Sequence, residues 1–234
     1  MIQRGAGNIS RRMIGNVDIF DISGMVKNDT MRKIHDYLSA YVRHSNVHYV
    51  IVNVQELAYI DNNGIHEVFN PLERTKKTVL FCTDESVAGI FKNSKKMPFT
   101  VICNKERDVV DLLGKQLVNK RQMIAFEDRR KALRIASAIS ADVICRQKEN
   151  NDMTMTSGII TNISETGACI EYLDLSSAQL VGQIDFFRNI EATIMANDPH
   201  YLNQKMSGEI VRVEISGRQT ALIVKFADPI IIPK

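Results

Sequence analysis

The chain has 234 residues, enough for one large domain or two modest ones, since hydrophobic cores form at roughly 100–200 residues each. Its 44% hydrophobic and 24% charged residues give an ordinary globular balance, and the lack of Trp with only 6% aromatic residues argues against a base-stacking platform for nucleic acid. A net charge of +3 falls short of the clustered basic excess that marks duplex binders, so a nucleic-acid partner is not expected. Cys82, Cys103, Cys145 and Cys169 each sit in or at the edge of an apolar run, with no Cys-x-x-Cys pair, and read as reduced core residues. His44 and His48 approach ligand spacing but have no Cys or carboxylate cluster beside them, so no metal is expected. No apolar run reaches the roughly eighteen residues a spanning helix needs, and the first residues lack a secretory apolar stretch. The expected setting is the cytoplasm, without membrane insertion.

In chain order, residues 9–26 read as two strands joined at Gly15-Asn16, with Ile19 and Ile22 near the core and Gly24 closing the pair. Asn28 or Asp29 caps a helix whose apolar stripe is Met31, Ile34, Leu38 and Tyr41 or Val42. The run VHYVIVNV (47–54) has the near-continuous apolarity of a strand buried on both faces, the habit of parallel sheets. A helix follows from YIDNNGI (59–65), carrying Ile65, Val68, Phe69 and Leu72, and Pro71 should kink or shorten it. Strand 77–83, helix 86–91, strand 99–103 and helix 106–113 complete an α/β layer protein. After the charged segment 114–123 the pattern becomes short, alternating apolar runs separated by turns, which reads as an antiparallel β-barrel or sandwich. The boundary is placed so that residues 1–121 form the first domain and 122–234 the second. The segment between Leu173 and Gly208 is longer than a minimal barrel needs, so an added helix or lid is expected there, with Phe186 and Phe187 in the core.

In the first domain the order of elements, the ISG at 22–24 and above all IVNVQELAYIDNNGI (51–65) resemble the STAS family of anti-sigma-factor antagonists, over roughly residues 9–115. The resemblance implies a partner-binding loop at Asp61, Asn62, Asn63 and Gly64. In partner-switching members a Ser or Thr directly after the Asp is phosphorylated. Here that place is Asn62, which has no hydroxyl, so the resemblance implies the docking loop without its phospho-switch. The plainer reading of these four residues is a helix N-terminal turn in which Asn and Gly serve the backbone geometry.

In the second domain, DRRKALR (128–134) is followed about thirty residues later by NISETG (162–167). An Arg-x-x-x-Arg pair alone is a weak signal. Joined to Asn-x-Ser-x-x-Gly between two predicted strands, and to the closing pattern GEIVRV…ALIVKFAD (208–228), it resembles the PilZ family, six-stranded barrels that bind cyclic di-GMP. The resemblance covers about residues 125–230 and implies a ligand site of Arg129, Arg130, Arg134, Asn162, Ser164 and Gly167. The chemistry fits, because a guanidinium grips phosphate or the guanine O6/N7 edge and also stacks on a base. Asn162 can accept from the guanine N1/N2 edge, Ser164 can donate to phosphate or base, and Gly167 allows a positive φ or a close ligand approach. The plainer reading makes the arginines a solvated linker pairing with Glu127 and Asp128, and the Asn-x-Ser stretch a turn between strands.

The combined expectation is a cyclic di-GMP receptor signalling to a protein partner through the STAS-like domain. PilZ members with an extra arginine just before the pair can hold a stacked cyclic di-GMP dimer, so the resemblance, with Arg129 at that place, implies two nucleotides per chain. Ordering the arginine arm should restrict the linker and so let nucleotide replace phosphorylation as the input. Neither domain shows a nucleophile–base arrangement, a phosphate loop or a dinucleotide fingerprint, so no enzyme is expected. Two alternatives stay open. One is a scaffold or partner-switching regulator whose barrel binds no nucleotide. The other is a nucleic-acid binder using Lys115, Lys120, Arg121 and the cations of 129–134, whose affinity would depend strongly on salt.

Overall fold

The protein was examined as a computed structural model that describes residues 6–44, 48–60, 65–94, 101–118, 134–149, 151–183, 190–202, 204–216 and 219–232. The chain divides into two compact units, Met1–Val109 and Val110–Lys234. The boundary expected between residues 121 and 122 lies outside the described residues.

The first unit starts with the hairpin β1 (Asn8–Ile14) and β2 (Val17–Val26), whose register brings Ile14 opposite Val17 around the two-residue turn Gly15-Asn16. Gly15 has φ 59°, the left-handed conformation such a hairpin turn needs at its first central position and one that glycine adopts without a Cβ penalty. Helix α1 (Asn28–His44) buries Ile34 and Leu38, with Met31, Tyr41 and Val42 partly buried beside them, so the expected stripe is the packed one. Next come β3 (Tyr49–Asn53), β4 (Leu57–Ile60), α2 (Ile65–Phe69), a 3₁₀ turn (Asn70–Arg74), β5 (Lys77–Phe81), α3 (Glu85–Asn93), β6 (Val101–Cys103) and α4 (Glu106–Leu117). The sheet order is β1-β2-β3-β5-β6, antiparallel at the first pair and parallel thereafter.

Two details differ from the sequence reading. Residues 57–60 form strand β4 rather than opening a helix. They pair in parallel with Gly24–Val26, where β2 continues past its partnership with β3. The β1–β2 pairing ends at Ser23, next to Gly24 as expected, but β2 itself continues beyond it. Gly24 sits at a register shift inside β2 with φ 75°, a kink that lets the strand change neighbours. The helix predicted through Leu72 is α2 followed by the 3₁₀ turn, with Pro71 in the first turn of the latter. Proline lacks the N–H that a continuing α-helix would use, which accounts for the change of pitch.

The second unit is a closed antiparallel barrel in the order β10-β11-β12-β9-β8-β7. Its strands are β7 (Arg134–Gln147), β8 (Met153–Ser164), β9 (Gly167–Glu171), β10 (Ile190–Ala196), β11 (Met206–Ser216) and β12 (Gln219–Phe226). Closure removes sheet edges, and register shifts at Ala136/Ile139, Ile160/Asn162 and Ile210/Arg212 supply the local coiling a small barrel requires. The interior is apolar, filled by Val143, Ile160, Ile170, Leu222 and Val224 around fully buried Tyr172. The added helix expected after Leu173 is α5 (Leu175–Gln183). Asp174 starts it by accepting from the Ser176 N–H at 2.9 Å, and Ala178 and Val181 enter the barrel core. Phe186 and Phe187 lie outside the described residues. No described helix is long and apolar enough to cross a membrane.

Candidate functional site

Strand alternation places the barrel's candidate residues. Ile163 on β8, Ala168 on β9 and Val224 on β12 point into the core, so their neighbours Asn162, Ser164, Gly167, Cys169 and Lys225 face outward. Register then gathers them into rows across strands. Arg134 is paired with Ser164, Ser164 with Gly167, and Gly167 with Lys225, a strip roughly 14 Å wide at strand spacings of about 4.8 Å. The adjacent row runs Ala136, Asn162, Cys169, Ile223. Arg134, the last residue of the first sequence fragment, is thus brought opposite Ser164 of the second because β7 and β8 pair antiparallel. Arg129 and Arg130 lie outside the described residues, as do Asp61, Asn62, Asn63 and Gly64.

Asn162 follows the shift of register at Ile160/Asn162 and is half-buried. Its amide has no hydrogen-bond partner among the described residues. Ser164 is different. It is only 5% exposed, and its hydroxyl donates to the Gly167 carbonyl at 3.2 Å, closing the turn between β8 and β9. A Cβ on Gly167 would overlap the Val224 carbonyl oxygen of β12. Gly167 has no positive φ, and the group that approaches it closely in the structure is the backbone of the neighbouring strand. Gly208 meets the same constraint against the Lys225 carbonyl.

Beside these rows, Glu171 is held by two donors, the Thr161 hydroxyl at 3.0 Å and the Gln219 amide at 2.8 Å. Lys225 is exposed and has no ion-pair or hydrogen-bond partner among the described residues. Sequence reasoning did not single out Lys225. Its link to the site is the β9–β12 register, which joins residues far apart in the chain and leaves no local signature.

None of the four cysteines is in a disulfide. Burial raises the Cys82 thiol above its ordinary value and pushes those of Cys103 and Cys145 up to about 11, so these three stay protonated near neutrality. Cys169 is half-buried on the outer face next to Asn162, not in the core as expected. His44 donates through Nδ1 to the Ala40 carbonyl at 2.6 Å, a bond within its own helix.

In the first unit the ends of the candidate docking loop are anchored, since Ile60 and Ile65 are both buried. Before the loop, Tyr59 is 46% exposed, with the Lys27 ammonium 5.5 Å from its ring centroid.

No family model matches the chain, and no curated protein does. Among solved structures it is similar to the anti-sigma factor antagonist SpoIIAA in its unphosphorylated form, with TM-score 0.38 and 16% identity over 45% of this chain and 96% of that one. It is also similar to the PilZ domain of YcgR from Escherichia coli, solved with c-di-GMP, with TM-score 0.28 and 12% identity over 43% of this chain and 79% of that one. A third is PlzA of Borreliella burgdorferi in complex with c-di-GMP, with TM-score 0.24 and 12% identity over 44% of this chain and 46% of that one. An anti-sigma factor antagonist and PilZ domains are thus both among the structures this chain is similar to, each over less than half its length.

Proposed function

We propose that the chain is a cyclic di-GMP receptor that binds the dinucleotide on the outer face of its barrel and signals through its first domain to a protein partner. The observation that carries this reading is the register: Arg134 stands opposite Ser164, and the amide of Asn162, two residues upstream on the same face, has no hydrogen-bond partner among the described residues. Arg129, Arg130 and Arg134 would supply guanidiniums for the phosphates and guanine edges, and Asn162 the acceptor for a guanine N1/N2 edge. Lys225, at the far end of the same row, adds a cation within reach of a ligand spread across the strip. The domains as bounded at residues 121 and 122 would divide the work, with the loop at Asp61–Gly64 on the output side.

One observation favours the non-binding alternative. The Ser164 proton is already engaged with the Gly167 carbonyl, so a ligand would have to recruit the hydroxyl through its lone pairs or displace that bond. Calorimetric titration with cyclic di-GMP, GTP and a short oligonucleotide at two salt concentrations separates the readings. The receptor reading expects binding of the cyclic dinucleotide alone, at two nucleotides per chain, and its loss in the Arg130→Ala/Arg134→Ala double variant. Absence of binding, or wild-type binding by that variant, overturns it. Hydrogen exchange tests the signalling step: protection of residues 126–135 and 160–168 by nucleotide, with no change at 59–66, would mean that the domains act independently.

A further inference from the structure

The change of pitch at Pro71 has a second effect. Where α2 would have continued, the 3₁₀ turn lies against α1 and leaves a groove between them. On the α1 side the lining residues His35, Ser39 and Arg43 recur at intervals of four, one face of the helix. On the other side stand Asn70, Pro71 and Arg74. The groove is pre-shaped by hydrogen bonds. His35 donates from Nδ1 to the Glu67 carbonyl at 2.7 Å, which ties α1 to α2, and the Ser39 hydroxyl donates to Nε2 at 3.2 Å.

Its charge is unbalanced. Arg43 and Arg74 are exposed, neither has an ion-pair or hydrogen-bond partner among the described residues, and no carboxylate is in the lining. Glu73, the acid next to Arg74 in sequence, reaches the His66 ring at 3.5 Å. Two unneutralised guanidiniums on opposite walls suit planar anionic groups, because each presents paired N–H donors to a carboxylate. Between them Pro71 and the partly buried Val42 offer apolar surface to the methylene of an acidic side chain.

We propose that this groove is a docking site for an acidic, Glu- or Asp-bearing segment of a protein partner, with carboxylates held by Arg43 and Arg74 and a further donor from the Asn70 amide. The surface is separate in sequence from the loop at 61–64 and does not depend on the barrel binding a nucleotide. A nucleic-acid strand is disfavoured, since its affinity comes from a run of cations along the phosphates and the groove offers two.

The test uses the full chain and a fluorescein-labelled hexaglutamate peptide, with hexaserine as control, followed by anisotropy at low ionic strength. Binding of hexaglutamate alone is expected. The Arg43→Glu/Arg74→Glu double variant should weaken it by at least about tenfold. Amide shifts should concentrate in residues 35–43 and 70–74. Both arginines are exposed, so the fold should survive; if circular dichroism shows otherwise, the single variants Arg43→Gln and Arg74→Gln carry the comparison. Wild-type affinity in the variants, shifts elsewhere, or equal binding of an oligonucleotide of matched charge overturns the proposal. So does displacement of the peptide by inorganic phosphate at concentrations where chloride has no effect, because that marks a small-ion site.

Discussion

The two halves of the chain use the same side chains in opposite ways. In the first, Arg11 and Arg12 are adjacent on β1 and both are consumed by the fold. Arg12 is 7% exposed and holds fully buried Asp21 through Nε at 2.8 Å and Nη2 at 3.2 Å, while the Asn53 amide donates to the same carboxylate at 2.8 Å. Arg11 pairs with Asp18 at 2.6 Å and lies over the Tyr41 ring at 4.4 Å, and Tyr41 also donates to Asp18. In the barrel the interior is apolar, and the polar residues of interest stand on the outer face, where Asn162 and Lys225 have no partner among the described residues. An Asn in one half donates to a buried carboxylate, and an Asn in the other has no partner among the described residues. A side chain already satisfied inside the fold has nothing to offer a ligand, whereas an outward, unsatisfied one can give all its hydrogen bonds to binding.

The sharpest break of that comparison is Asp21→Ala. It strands the Arg12 guanidinium in the interior and should cost about 3–5 kcal/mol, read as a lowered denaturation midpoint, with the barrel's ligand affinity unchanged wherever the chain stays folded. A loss below about 1 kcal/mol would mean the network is wetter than its burial implies.

In the barrel the matching stability effect should come from a glycine. Gly208→Ala places a methyl on the Lys225 carbonyl, and the strands must separate to admit it, at a cost of about 1–3 kcal/mol or more. Gly167→Ala should behave alike against Val224. If either variant kept its melting temperature but lost cyclic di-GMP binding, the glycine would belong to the ligand site and not to the strand seam.

A paired experiment sharpens the contrast between the two asparagines. Asn53→Ala removes a donor from buried Asp21 and should destabilise by about 1–3 kcal/mol, with no effect on nucleotide binding. Asn162→Ala removes no side-chain hydrogen bond made among the described residues. It should leave the melting curve in place while weakening cyclic di-GMP about 10- to 100-fold in calorimetry.

The smallest effect concerns the thiols. Cys145, raised by burial, favours the protonated form in the folded barrel, so the stability it contributes is complete below pH about 9, where the unfolded thiol begins to ionise. That contribution is lost as pH rises from about 9 through the folded value of about 11, and Cys145→Ala should flatten this alkaline decline. At pH 8 iodoacetamide should reach half-buried Cys169 ahead of Cys145, and bound cyclic di-GMP should slow that labelling, because Cys169 is the cross-strand neighbour of Asn162.

Much of the architecture was legible because it is written locally. The stripe Ile34–Leu38, the two-sided apolarity of 49–53 and the alternation along 134–171 report secondary structure within a few residues of themselves, and Gly15-Asn16 names its own turn. The candidate site was legible as a pair of motifs. Their meeting was not, since it depends on β7 and β8 pairing in one register and no other. Strand β4 was missed for a related reason: LAYI is short and follows directly on β3, and it becomes a strand only because β2 extends far enough past β3 to offer it an edge.

Sequence alone therefore determined most element types, β4 and the 3₁₀ turn at Pro71 apart, the change from α/β layers to barrel near the middle of the chain, and the residue chemistry that suits the expected cyclic dinucleotide. Tertiary structure decided which arginines are spent, Arg11 and Arg12 on β1 being committed to Asp18 and Asp21 on the antiparallel β2. It also decided that Gly167 and Gly208 serve strand contact, that Ser164 closes a turn, and that Lys225 joins the row of Arg134. Periodicity and capping act over one or two turns of chain, whereas burial, partner satisfaction and register depend on which strands pair and where. For Gly167, Gly208 and Lys225 the deciding residues come from well beyond that local range, and only closure of the barrel selects them.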